Sequence, residues 1–201
     1  MVTTVEVQRL MYILQPLVQS TTPNAIHNKN NQGGDSSVQR ISECTKNSSN
    51  TFHPFFLVGP DGCGKTSLLH CCFASQPGVH VSTVHCSSET NAFHALEKIE
   101  QECILYNSAT GRVYRPRDCA KLVLIFKNVN LPKPDKYGTV QLHAFLHQLI
   151  TYKGFYNNEL DWIGLDKVQI VATMNAASSP GRHVVDPRLL SVVQVIAVSY
   201  P

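Results

Sequence analysis

Eight consecutive residues constrain this chain more than any others: Gly59-Pro60-Asp61-Gly62-Cys63-Gly64-Lys65-Thr66. The apolar run Phe55-Phe56-Leu57-Val58 precedes them, and Ser67-Leu68-Leu69-His70-Cys71-Cys72-Phe73 continues with the makings of a helix. A buried strand, a glycine loop and an opening helix, in that order, are the context in which the pattern GxxxxGK[ST] forms a phosphate-binding loop. Glycines at 59, 62 and 64 let successive backbone N–H groups converge on one anion. The helix N-terminus adds the positive end of its dipole, Lys65 a point charge near the outer phosphates, and the Thr66 hydroxyl a ligand for Mg²⁺. The expected binding set is the whole run from Gly59 to Ser67, and the implied ligand is a nucleoside triphosphate, ATP or its product ADP.

Around this loop the chain reads as alternating helix and strand. Val2 to Val18 carries Val7, Leu10, Met11 and Leu14 at the spacing of an amphipathic helix, with Thr4 as its N-cap. Residues 19–51 are rich in Asn, Ser, Thr, Gln and Gly, with too few large apolar side chains to offset the entropy of ordering, and are expected to form a disordered insertion. Beyond the loop come a strand at Val79–Cys86, a helix at Asn91–Tyr106 and a loop or edge hairpin at Gly111–Pro116, placed at an edge by its proline. The continuous apolar run Lys121–Phe126 has the character of a parallel strand buried on both faces. A helix at Thr139–Tyr152, a second buried strand at Val168–Met174, a short helix at Asp186–Leu190 and a last strand at Val192–Val198 complete an α/β parallel sheet with helices on both faces.

Composition excludes several classes. A formal charge of +3 with no basic run gives no surface for nucleic acid, and Arg112, Arg115 and Arg117 lack aromatic interleaving. No stretch approaches the ~20 apolar residues of a membrane span. Seven cysteines without CxxC spacing, and no signal pattern, fit a reducing compartment, where Asn47-Ser48-Ser49 carries no glycan. His143 and His147 lie one helical turn apart but lack the Glu of HExxH and a third ligand, so they are expected as exposed or half-buried helix residues. Cys71 and Cys72 are expected to pack, and Trp162 to anchor the core.

Beyond the loop, Leu122 to Pro132 (LVLIFKNVNLP) resembles the Walker B region of a dynein heavy-chain AAA+ module. Asp135-Lys136-Tyr137-Gly138-Thr139, Gly154-Phe155-Tyr156, Gly181-Arg182 and Thr3 to Arg9 are further matches, most similar to the third module of the family. Thr110 to Pro116, Lys127 and Leu146 to Tyr156 look most like the ciliary dynein-2 class, which serves retrograde intraflagellar transport. The resemblance implies a leading helix at residues 1–18, the insertion at 19–51 and an AAA+ nucleotide-binding large subdomain at 52–201. It also implies neighbouring AAA+ modules, other dynein subunits and a microtubule as partners through further parts of a longer chain, in the cytoplasm, cytoskeleton and cilium. The chain stops at Ser199-Tyr200-Pro201, where the family continues into a helical lid, so a fragment is expected.

One departure from the family pattern bears on mechanism. In an active Walker B the strand ends in an Asp that orients Mg²⁺ and a Glu that activates water; the matching positions here are Lys127 and Asn128. Both carboxylates are missing, and an Asn cannot accept a proton; loss of a general base typically costs about 10²–10⁴ in rate. Lys127 either repels Mg²⁺ or substitutes in part for its charge. By resemblance Asn175 is sensor I and Arg188 an arginine finger toward the next module's nucleotide; a strand-end turn residue and a solvated arginine are the plain alternatives. Three functions follow: a dynein module that binds nucleotide for structure or regulation with little hydrolysis, a degenerate scaffold that excludes Mg-nucleotide, or a free-standing P-loop kinase or GTPase. The last lacks both an NKxD motif and an acidic residue between Phe126 and Asp135.

Overall fold

A computed structural model describes residues 4–18, 52–108, 111–157 and 159–200. The expected insertion and the Asn47 sequon lie outside these residues. The first helix, α1 (Val5–Val18), starts as expected: Thr4 Oγ1 accepts from the Val7 N–H at 3.4 Å. Leu14 and Val18 are buried, with Val7, Leu10 and Met11 packed beside them.

The main sheet contains β1 (Phe55–Val58), β2 (Val79–His85), β5 (Lys121–Lys127), β8 (Val168–Met174) and β9 (Gln194–Ala197), in the order β2-β5-β8-β1-β9. All four pairings are parallel, and β1 lies inside the sheet between β8 and β9. Strict alternation divides the apolar strands between two cores. Phe55, Leu57, Val123, Ile125 and Val171 pack with α1 and with Leu68, Leu69 and Phe73 of α2 (Lys65–Ala74). Phe56, Leu122, Leu124, Phe126, Ile170 and Ala172 pack on the opposite face, with Ile99 of α3 (Ala92–Glu102), Leu146 of α4 (Gln141–Tyr152) and Leu189 of α5 (Pro187–Leu190). Two buried polar side chains tie α1 to this frame. Lys121 Nζ donates to Val18 O at 2.9 Å, and Gln169 Nε2 donates to Leu17 O and His53 O at 2.9 and 2.7 Å.

A second sheet was only partly legible. It contains β3 (Cys103–Ser108), β4 (Gly111–Pro116), β7 (Trp162–Leu165) and β6 (Gly154–Tyr156), in that order. The expected helix through Tyr106 therefore stops at Glu102, and Cys103 to Ser108 pairs antiparallel with β4. Pairing with β4 overrides the helical spacing here, with all six residues of Cys103–Ser108 in register with the neighbouring strand and Ile104, Leu105 and Tyr106 left exposed. Nor is β4 an edge. Pro116 is its last residue, beyond the Arg112–Tyr114 stretch that pairs with β7, so its missing N–H interrupts nothing there. Trp162 does not anchor the core: it is 38% exposed and meets Tyr156 edge-on at 5.0 Å. His143 is buried, contrary to expectation, with Nε2 2.8 Å from Val129 O, and burial lowers its pKa. Among the described residues no helix is long and apolar enough to cross a membrane.

Candidate functional site

Parallel strands end together, and three ends converge here. Leu57 and Lys127 both stand opposite Thr173 of β8, so the loop after β1, the end of β5 and the end of β8 lie at one sheet edge. The P-loop leaves β1 with Gly59 N donating to Met174 O at 3.2 Å, while Val198 N returns to Val58 O at 2.7 Å. A Cβ on Gly59 would sit 2.2 Å from Val198 O, so only glycine fits between the strands. Gly62 and Gly64 have φ of 80° and 83°, which L side chains rarely adopt. Gly64 is also the N-cap of α2, so the loop runs straight into the helix terminus without a side-chain cap. The first-turn N–H groups of such a helix are free to serve an anion.

Lys65 is buried at the first turn of α2, and its ammonium curls over its own loop. Nζ donates to Gly59 O at 2.9 Å and Pro60 O at 2.7 Å, and stands 3.6 Å from Cys63 Sγ. Thr66 is half-buried, while Asp61 and Ser67 are exposed. The Tyr200 hydroxyl donates to Asp61 O at 2.8 Å, fixing the rim of the loop to the strand-end segment after β9.

Asn175 follows β8 directly and is buried. Its Nδ2 donates to Asp61 Oδ1, and its carbonyl accepts from Asn130 Nδ2 at 2.9 Å. Lys127 and Asn128 end β5 on the same edge. Lys127 shares the parity of Val123 and Ile125, which places it on the α2 face, and it makes no ion pair among the described residues. Asn128 has φ 58° and accepts from Leu131 N at 3.0 Å, a turn that Asn tolerates better than most residues. Arg188 sits apart from this cluster, exposed on α5, where its N–H donates to Asp186 Oδ1 at 2.9 Å. The spacing of the sequence motifs did not single out Arg182 as a site residue, yet its guanidinium Nη2 lies 3.8 Å from Asp61 Oδ1. Its signal was the Gly181-Arg182 pair.

The phosphate-binding donors therefore fit a nucleotide: positive-φ glycines, a first-turn lysine and an uncapped helix N-terminus. A protein-held Mg²⁺ fits poorly, since Thr66 offers one hydroxyl and Lys127 a positive charge. No group of three or more His, Cys, Asp or Glu side chains among the described residues could hold a metal ion.

The family model for the P-loop containing dynein motor region matches residues 36–201. Cytoplasmic dynein 2 heavy chain 1 of Tripneustes gratilla is 53% identical over 147 residues, covering 73% of this chain and 3% of that one. Its counterpart from Homo sapiens is 49% identical over 154 residues, covering 77% of this chain and 4% of that one. The cytoplasmic dynein heavy chain of Caenorhabditis elegans is 36% identical over 150 residues, covering 74% and 3% respectively. This chain thus spans only a few hundredths of the length of the curated relatives it matches. With a matched region of well over half its length, the chain belongs to the P-loop containing dynein motor region family.

Proposed function

We propose that this chain is a nucleotide-binding AAA+ module, the third of its ring, in a heavy chain of the dynein-2 class. It binds ATP or ADP for structure or regulation and hydrolyses it little. The feature that supports this reading is the end of β5, where Lys127 and Asn128 stand at the positions that, by resemblance, hold a metal-orienting Asp and a water-activating Glu. Glycines 59, 62 and 64 curl the backbone N–H groups inward, Lys65 neutralises phosphate charge, and Asn175 orients the terminal phosphate. Thr66 supplies a hydroxyl to any Mg²⁺ that arrives with the nucleotide, and Lys127 makes binding largely independent of that metal. A ligand held at 100 times its dissociation constant stabilises a fold by about 2.7 kcal/mol with no turnover.

The wider setting is part of the same proposal. Arg188, exposed and apart from this chain's own site, faces a neighbouring AAA+ module of the same heavy chain. The parent protein is a microtubule motor of cytoplasm, cytoskeleton and cilium, serving intraflagellar transport with its other dynein subunits. Identities of 37–53% to dynein-2 chains, against 35–36% to cytoplasmic dynein heavy chains, support this class. Titration of labelled ATP and ADP, with Mg²⁺ and with EDTA, tests the reading. Saturable binding that survives EDTA is expected; no binding in either condition would favour the degenerate scaffold.

A further inference from the structure

A cation outside the P-loop pattern stands beside the loop. Arg182 is only 12% exposed, and its Nη2 lies 3.8 Å from Asp61 Oδ1. Nη1 is fully buried with no hydrogen-bond partner among the described residues. The same Asp61 oxygen also accepts from Asn175 Nδ2, while the Asp61 side chain is 75% exposed. One carboxylate oxygen thus serves two groups aimed at the loop, and a third donor is left over. A buried guanidinium with an idle N–H is costly unless another acceptor reaches it. A phosphate group presents three oxygens and more negative charge than a carboxylate, and planar guanidinium forks bind it well.

We infer that Asp61 is a resident counter-ion standing in for the terminal phosphate of a nucleoside triphosphate, and that Arg182 is the cation that binds this phosphate when Asp61 swings out to solvent. The inference deepens the nucleotide reading above and rests on it. It adds Arg182 to Lys127 as a source of the positive charge that a Walker B carboxylate would otherwise bring in through a metal. Two consequences follow. Preference for triphosphate over diphosphate depends on Arg182 and not on Mg²⁺, because in this assignment the fork meets the terminal phosphate that a diphosphate lacks. Asp61 competes with the ligand, so removing its charge favours the triphosphate.

Calorimetric titration of ATP and of ADP in EDTA tests this on the full chain, with Arg182→Gln, Arg182→Lys and Asp61→Asn. Loss of one charge-assisted contact corresponds to about tenfold or more in affinity. Arg182→Gln should therefore weaken ATP by about tenfold or more while leaving ADP within about twofold, and Arg182→Lys should recover part of the loss. Asp61→Asn should tighten ATP several-fold. An unchanged ATP-to-ADP ratio in a folded Arg182→Gln protein, or weaker ATP binding in Asp61→Asn, overturns the inference while the nucleotide reading stands. Should Arg182→Gln fail to fold, the Arg182→Lys and Asp61→Asn ratios decide the matter in the same way. If the unaltered chain binds neither nucleotide, the nucleotide reading falls and this inference with it.

Discussion

Asn175 donates through Nδ2 to the carboxylate of Asp61, joining the end of β8 to the rim of the phosphate loop across 114 residues of sequence. Tyr200 holds the carbonyl of the same aspartate. The loop is therefore fixed from two strand ends at once, and a change of partner at Asp61 is felt at Asn175.

Lys65 is the most direct handle on the loop. Its ammonium sits on Gly59 O and Pro60 O and can transfer to phosphate without moving the helix. Lys65→Ala should weaken ATP and ADP by about 1.5–3 kcal/mol, the range for a hydrogen bond to a charged group. Equilibrium titration checks this, and unchanged affinity would remove the loop from the binding site.

Gly59 tests the packing between loop and sheet. An alanine there would place Cβ 2.2 Å from Val198 O, backbone that cannot rotate away. Gly59→Ala should cost about 1–3 kcal/mol, the usual penalty for overpacking, and should loosen the β1–β9 pairing. Urea unfolding with hydrogen exchange at Val198 measures both effects. Gly62→Ala meets no atoms and is strained only by its φ, so its cost should be smaller, about 1–2 kcal/mol.

Much of the fold was legible because its signals are local. The run Leu122 to Phe126 is fully buried in a central parallel strand, as its unbroken apolarity requires. The glycine loop carries its geometry in its residue types. The second sheet was less legible, since Cys103 to Ser108 can extend a helix by spacing and pairs as a strand only because β4 lies beside it. Arg182 was hidden for a similar reason. Its meaning comes from Asp61, a residue far away in sequence, and no spacing rule connects them.

The left-handed backbone at Asn128 limits how readily a carboxylate can be installed there. Its φ of 58° suits Asn better than Glu. Asn128→Glu alone should cost about 1 kcal/mol or less of stability, whereas Asn128→Gly should be nearly neutral. Chemical denaturation of the two variants compares them; equal losses would mean that the backbone relaxes out of this conformation.

Buried ionisable groups give the alkaline side of the stability curve opposing slopes. Burial raises the thiols of Cys86 and Cys103 from 9.0 to about 12, so between these values the unfolded chain holds fewer protons and stability falls as pH rises. Burial lowers Lys121 from 10.5 to about 8, so this group's contribution rises with pH over that window. Lys121→Met should therefore steepen the alkaline decline between pH 8 and 10.5. In the native protein at pH 8, Cys86 and Cys103 should resist iodoacetamide and become reactive on unfolding; rapid native labelling of either would contradict their burial.

The central claim is that the loop after β1 holds a nucleotide while the end of β5 cannot activate water upon it. The measurement that bears on it most directly is single-site ATP turnover in a motor containing this module, with its other nucleotide sites disabled. With Lys127 and Asn128 unaltered, turnover should be negligible while ATP still binds. The pair Lys127→Asp with Asn128→Glu, which restores a metal-orienting carboxylate and a base, should raise it by up to about 10²–10⁴-fold. Turnover in the unaltered module comparable to that of an active AAA+ site would contradict the claim.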